Sequence, residues 1–158
     1  MSGLGQGRPG ASVSDRGSPV PHVVFRLDAT RYALPLSAVR EVVVLPEPLV
    51  RVPRAPPGVR GVVNLRGRVV TVVDFASLLD LPGPTGPLQK LVLLDRGRGD
   101  LALLVSDVDG METVEKVSIA ARESRAPVRG LTRVKGLAVT VLDASALDAA
   151  VTHLFDRG

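Results

Sequence analysis

Short apolar runs alternate with turn-forming clusters along this chain, at a spacing that suits strands better than long helices. Val23–Leu27 and Tyr32–Leu36 flank a polar turn around Asp28–Thr30 and predict two strands. Ser37–Arg40 predicts one helical turn with Ser37 as its cap, and Glu41–Leu45 a further strand. Pro46–Gly58 holds five prolines, so an irregular connection is expected there. Gly61–Leu65 and Val69–Val73 enclose Arg66-Gly67-Arg68 as a tight hairpin. Asp74 then caps a short helix that carries Phe75, Leu78 and Leu79 at helical spacing. After a Pro/Gly linker at Leu81–Pro87, Leu91–Asp95 and Leu101–Val105 form a second hairpin around Arg96–Asp100. Val108–Val117 is expected to be extended. Val128–Val134 and Leu137–Leu142 flank Lys135-Gly136 as a third hairpin, and Asp143 caps a last helix to about Leu154. Folding is expected to start near His22, because Met1–Pro21 is rich in Gly, Ser and Pro with scattered apolar residues, as in a flexible tail.

The pattern repeats. Shifted by 69 residues, Tyr32–Asp80 lies on Leu101–Ala149 without a gap and with 13 identities in 49 positions. Composition alone would give about 5. Val59-Arg60-Gly61 falls on Val128-Arg129-Gly130, Gly67 on Gly136, Val70-Thr71-Val72 on Val139-Thr140-Val141, and Asp74 on Asp143. The matches sit on turn glycines and a helix-capping Asp, where backbone geometry constrains the residue. The expected fold is therefore all-β: two small five-stranded, SH3-like β-barrel halves packed on a shared hydrophobic junction, with short helices. The halves are placed at about 22–84 and 85–156, with the first strand a candidate for exchange between them.

Composition sharpens this picture. Of 158 residues, 27 are Val and 22 Leu, with a single Ile and only 3% aromatics, so the core must be aliphatic and strand-prone. There is no Cys, hence no disulfide, thiolate metal site or Cys nucleophile. No apolar run reaches membrane-spanning length and the first 21 residues hold no secretory-signal stretch, so a cytoplasmic location is expected. His22 and His153 are far apart in sequence and read as ordinary surface or half-buried side chains. Asp107, Asp109 and Glu112 cluster without a matching ligand set. No catalytic or phosphate-loop motif occurs, so neither catalytic residue, metal nor cofactor is expected.

Charge is unevenly laid out. Between Glu47 and Asp74 there are five Arg (Arg51, Arg54, Arg60, Arg66, Arg68) and no acid; from Asp100 to Glu115 there are five acids and no base. A basic β-barrel that binds nucleic acid is one reading of the Arg run. It lacks interleaved aromatics for base stacking, and an acidic protein surface suits the Arg run better. Arg66 stands out, because two buried-type strands would hold it at a tight turn and limit the entropy lost on binding.

From Val23 to Leu154 the chain resembles the CheW family of chemotaxis coupling proteins. The resemblance is carried by Val23-Val24-Phe25-Arg26-Leu27, Tyr32-Ala33-Leu34-Pro35-Leu36 and Val39-Arg40-Glu41-Val42. It continues through the ordered string from Val59-Arg60-Gly61-Val62-Val63-Asn64-Leu65-Arg66-Gly67 to Val72-Val73-Asp74. It implies a CheW-like domain over 22–156 and a non-enzymatic adaptor in the cytoplasm, recruited to receptor arrays at the inner face of the membrane. Its partners would be the cytoplasmic tip of a chemoreceptor and the regulatory domain of the histidine kinase CheA, in flagellar chemotaxis or another chemosensory pathway. By the same resemblance Val39, Glu41, Val42 and Arg66 would meet the receptor, with Glu41 pairing with Arg66. Gly61 and Leu91 would serve kinase binding. In the second half Ser106 stands where the family often has Asp, with Asp107 one place on.

Overall fold

The computed structural model of the chain describes residues 19–97, 99–119 and 127–156. The tail expected over 1–21 lies outside these as far as residue 18, and is corrected at its end, where Val20 and Pro21 open the first strand. The strands are β1 (Val20–Leu27), β2 (Thr30–Pro35), β3 (Val39–Val44), β4 (Val59–Leu65), β5 (Arg68–Asp74), β6 (Lys90–Leu94), β7 (Leu101–Val105), β8 (Asp107–Val114), β9 (Ser118–Ile119), β10 (Val128–Val134) and β11 (Leu137–Leu142). Two helices follow capping aspartates. In α1 (Phe75–Leu78) the Ala76 N–H donates to Asp74 Oδ1 at 3.1 Å; before α2 (Ala144–Asp156) the Ala146 N–H donates to Asp143 Oδ1 at 2.9 Å. Ser37 does not cap a helical turn. It lies inside a 3₁₀ turn, Leu36–Ala38, which follows Pro35 and has no side-chain cap.

The strands form two sheets, in the orders β8-β1-β2-β11-β10-β9 and β3-β6-β7-β5-β4. The expected barrel halves are corrected in three respects: one sheet has six strands rather than five, neither sheet falls within 22–84 or 85–156, and neither closes on itself among the described residues. The five-stranded sheet ends at β3 and β4, and only an isolated bridge, Val50↔Val62, lays the Pro-rich connection across β4. The prolines of that connection remove the amide donors that a longer ladder would need.

The sequence repeat is a repeat of pairing. Thr71↔Leu101 in one sheet and Thr140↔Tyr32 in the other are the same parallel contact displaced by 69 residues. The β4–β5 hairpin breaks register between Val59 and Gly61, and the β10–β11 hairpin between Val128 and Gly130. The bulge between Val39 and Glu41 on β3 recurs in the pairing of β8 with β1. Each sheet thus takes strands from both repeats. The sheet holding β8–β11 is completed by β1 and β2, and the sheet holding β3–β5 by β6 and β7.

Burial follows the two faces. Between the sheets lies the largest apolar cluster, with Phe25, Tyr32, Leu34, Phe75, Val92, Leu103, Leu142, Leu147 and Val151. Phe25, Tyr32 and Phe75 meet there with centroids 4.9–6.0 Å apart, two of the three contacts being edge-on. The outer face of the five-stranded sheet carries a second cluster, including Val63, Val70, Leu91, Leu93 and Leu104. The larger sheet's counterpart is thinner: Val24, Ala33 and Val139, then Val114, Val117 and Val141.

One reason is His22, which the repeat places opposite Leu91 of the other sheet. It is 1% exposed rather than a surface or half-buried side chain. Its Nδ1–H donates to the Val20 carbonyl at 2.9 Å, and its Nε2 has no partner. Burial pushes the imidazole below its ordinary pKa, against the opposing pull of the Val20 carbonyl. The folded state therefore takes up a proton less readily than the unfolded chain. The resulting stability is complete above about pH 6.5 and is lost as pH falls through the lower folded value. His22→Leu is expected to flatten the dependence of melting temperature on pH between about 7 and 5. It should also raise stability at pH 5, because an unpartnered buried polar atom costs about 1–3 kcal/mol. An unchanged pH slope in thermal melts of the variant would contradict this.

Candidate functional site

Arg66 and Gly67 turn the β4–β5 hairpin with φ of 53° and 84°, the left-handed pair that a two-residue type I′ turn requires. Asn64 completes the turn by accepting the Gly67 N–H at 2.9 Å. The Arg66 side chain, 65% exposed, reaches back over the sheet to β3. Its Nη2 donates to both Oε1 and Oε2 of Glu41 at 2.6 Å, 25 residues earlier in the chain. This hydrogen bond, and then the carboxylate's charge, raises the guanidinium pKa further. Glu41 follows the β3 bulge, at the free edge of the five-stranded sheet.

A second carboxylate anchors the same rim. Asp100 accepts from Arg40 Nη1 at 2.7 Å and from Arg68 Nη2 at 2.9 Å. Its carboxyl is held below the usual range, first by the Arg40 hydrogen bond. Together with Leu65, Val70 and Leu93 these charges border a cleft of about 160 Å³. Apolar floor and paired charged rim suit recognition of a protein surface.

The other residues singled out from the sequence lie apart from this pair. Val39 and Val42 are half-buried and pack against the cluster between the sheets, whereas Val43 packs on the outer one with Leu65. Next to Val39, Ala38 enters a wider cleft of about 420 Å³ between the sheets and α2, lined by Leu34, Leu94, Ala144 and Leu147. Its rim holds a pair that sequence spacing did not indicate: Arg96 Nε donates to Asp148 Oδ1 at 2.6 Å across 52 residues. Leu91 is fully buried in the outer cluster, so its side chain shapes the sheet without presenting a surface. Gly61 is buried on β4 with φ of 146°, and a Cβ there would overlap the Val50 carbonyl oxygen. Glycine at this position lets the Pro-rich connection cross the sheet.

The repeat yields a related cleft with different chemistry, lined by Val24, Arg31, Asp109, Glu112, Val134, Lys135 and Val139. Arg31 and Asp109 are the counterparts of Asp100 and Arg40, with the signs of the charges exchanged, and bond at 2.9 Å. Lys135 replaces Arg66 and pairs with Glu112 at 3.1 Å. Asp107 takes Lys90 at 2.8 Å and Arg26 at 3.3 Å. The Lys90 hydrogen bond is the main reason its carboxyl is held below the usual range. Ser106 has its own task, accepting the Asp28 N–H at 2.8 Å and so fixing the β1–β2 turn. Among the described residues no three His, Cys, Asp or Glu side chains converge as a metal site, and no helix is long and apolar enough to cross a membrane. His153 is exposed on α2.

Comparisons with known proteins bear on the family and the fold. The CheW-like domain family matches residues 21–151. A curated relative, chemotaxis protein CheW of Rhizobium meliloti (strain 1021), is 27% identical over 128 residues, which is 77% of this chain and 82% of that protein. The crystal structure of scaffolding protein TtCheW from Thermoanaerobacter tengcongensis superposes with a TM-score of 0.65 at 21% identity, covering 79% of this chain and 89% of that one.

Proposed function

The chain belongs to the CheW-like domain family, a family of non-enzymatic scaffolds, and from that premise we propose that it couples chemoreceptors to the histidine kinase CheA. The observation that carries the proposal is the Arg66–Glu41 pair, held at the free edge of the five-stranded sheet by a rigid hairpin turn. A preformed charge pair on a rim sets the register of a partner and rejects wrong ones, while apolar surface beside it supplies affinity. The receptor tip, taken as a helical hairpin with an apolar ridge, fits this chemistry. Glu41 and Arg66 would orient it, and Val39 and Val42 would support it along β3. The kinase regulatory domain would take the face around Gly61, whose shape the buried Leu91 maintains. Recruitment of the chain to receptor arrays at the inner membrane face follows from this role.

No observation favours nucleic acid. Arg66 and Arg68 are engaged by carboxylates, and Phe25, Tyr32 and Phe75 are in the core rather than available for stacking. The coupling role is tested by whether the chain carries the kinase into the pellet with vesicles bearing receptor.

A further inference from the structure

The Arg run of the sequence is split by the fold. Arg66 and Arg68 are paired with Glu41 and Asp100. Arg26, Arg31, Arg40 and Arg96 each hold a carboxylate, and Arg133 bonds the Gly136 carbonyl. Among the described residues, Arg51, Arg54 and Arg60 are left exposed with no partner. These three lie along one piece of backbone. The Val50↔Val62 bridge sets Arg51 beside Gly61, where the Arg51 Cα is 3.3 Å from the position of a Gly61 Cβ, and Arg60 is the next residue on β4. Arg54 sits at the following turn with φ of 61°.

The segment that carries them is tied down. Val50 and Val62 exchange two backbone hydrogen bonds of 2.8 Å, Ala55 N–H donates to the Val52 carbonyl, Val59 N–H to the Pro56 carbonyl, and Asp74 N–H to the Gly58 carbonyl at 2.7 Å. Pro53, Pro56 and Pro57 restrict the backbone further. Exposed valines accompany the charges, Val50 at 53% and Val52 at 42%. A preorganised, partly apolar surface with three unneutralised guanidinium groups is poised for carboxylates.

We propose that Arg51, Arg54 and Arg60 form a docking surface for an acidic face of a protein partner. This rests on the coupling reading above, and the partner is then the kinase regulatory domain that meets the Gly61 face. A second copy of this chain is a poorer complement, because its clustered carboxylates Asp100, Asp107, Asp109 and Glu112 already hold cations and the remaining exposed acids are scattered. Nucleic acid would want stacking aromatics beside the arginines, and an anionic membrane more cations together with large apolar side chains in place of valines.

The test uses the full chain with Arg51→Gln, Arg54→Asn and Arg60→Gln combined, Asn being chosen because it tolerates the left-handed backbone at position 54. Binding to the kinase regulatory domain is measured by titration calorimetry across a salt series, with receptor-tip binding and thermal melts in parallel. Kinase binding should weaken at least about 10-fold and lose most of its salt dependence, with receptor binding and melting unchanged. Unaltered kinase affinity in the triple variant overturns the proposal. So does a wild-type affinity indifferent to salt, which needs no variant to observe. Equal losses of kinase and receptor binding also overturn it, as a general effect on the fold. Binding of duplex DNA or phosphatidylglycerol vesicles that the variant loses, while kinase binding persists, assigns the patch to another class of partner. Failure of the wild-type chain to bind either kinase or receptor overturns the coupling reading itself.

Discussion

Arg66→Asp is expected to lower affinity for the receptor tip by about 100-fold, the largest effect of any exposed substitution in this chain. The variant loses the double hydrogen bond to Glu41 and sets a second carboxylate beside it, reversing the polarity of the rim. The hairpin itself should persist. Asp tolerates the left-handed conformation that position 66 adopts, and the Asn64–Gly67 bond does not involve the substituted side chain. Melting temperature should therefore stay within about 3 °C of the parent. Exchanging the charges, Arg66→Glu with Glu41→Arg, separates two roles of the pair. It restores a bridge without restoring polarity, so receptor binding is expected to stay weak. Recovery to parental affinity in a titration would mean that the bridge acts only by stiffening the rim. Parental affinity in Arg66→Asp itself would remove Arg66 from the site.

Gly61→Ala is expected to be the most damaging single methyl in the first repeat. The added carbon would overlap the Val50 carbonyl oxygen and stand 2.9 Å from the Val50 carbonyl carbon. Both are backbone atoms of the segment that crosses β4, so no side-chain rotation relieves the contact, and φ of 146° adds conformational strain. A cost of about 3 kcal/mol, or roughly 10 °C in melting temperature, is expected. Gly67→Ala provides the contrast. It too has a positive φ, 84°, but nothing lies within 4 Å of its added carbon, so only the backbone term of about 1 kcal/mol remains. Equal melting temperatures for the two variants would contradict the crossing as the reason for glycine at 61.

These two positions show what the sequence made legible. Spacing and turn chemistry identified the hairpin at Arg66-Gly67, the caps Asp74 and Asp143, and a repeat whose offset of 69 reproduces the strand pairing. Local rules suffice for these features, because a turn or a cap depends on a few adjacent residues. Closure of the sheets did not follow, because it depends on how a proline-rich connection lies over β4, and the prolines limit it to one bridge. The burial of His22 is hidden from the sequence for a related reason. It depends on the two strands that flank β1, β2 and β8, and nothing local marks a histidine where the other repeat has Leu91. In the candidate site the Glu41–Arg66 pair was available through family resemblance. The carboxylates of Asp100 and Asp148, which hold Arg40, Arg68 and Arg96, were not, since those partners are 32 to 60 residues apart and no period links them.

The central claim is that the chain joins receptor and kinase, and sedimentation of the kinase with receptor-bearing vesicles tests it most directly. Kinase is mixed with vesicles carrying chemoreceptor, with the parental chain, with Arg66→Asp or with no addition, and the pelleted kinase is measured. Coupling predicts that the parental chain brings kinase into the pellet in proportion to receptor, and that Arg66→Asp leaves it near the level without addition. Kinase that pellets equally in all three conditions would contradict the account.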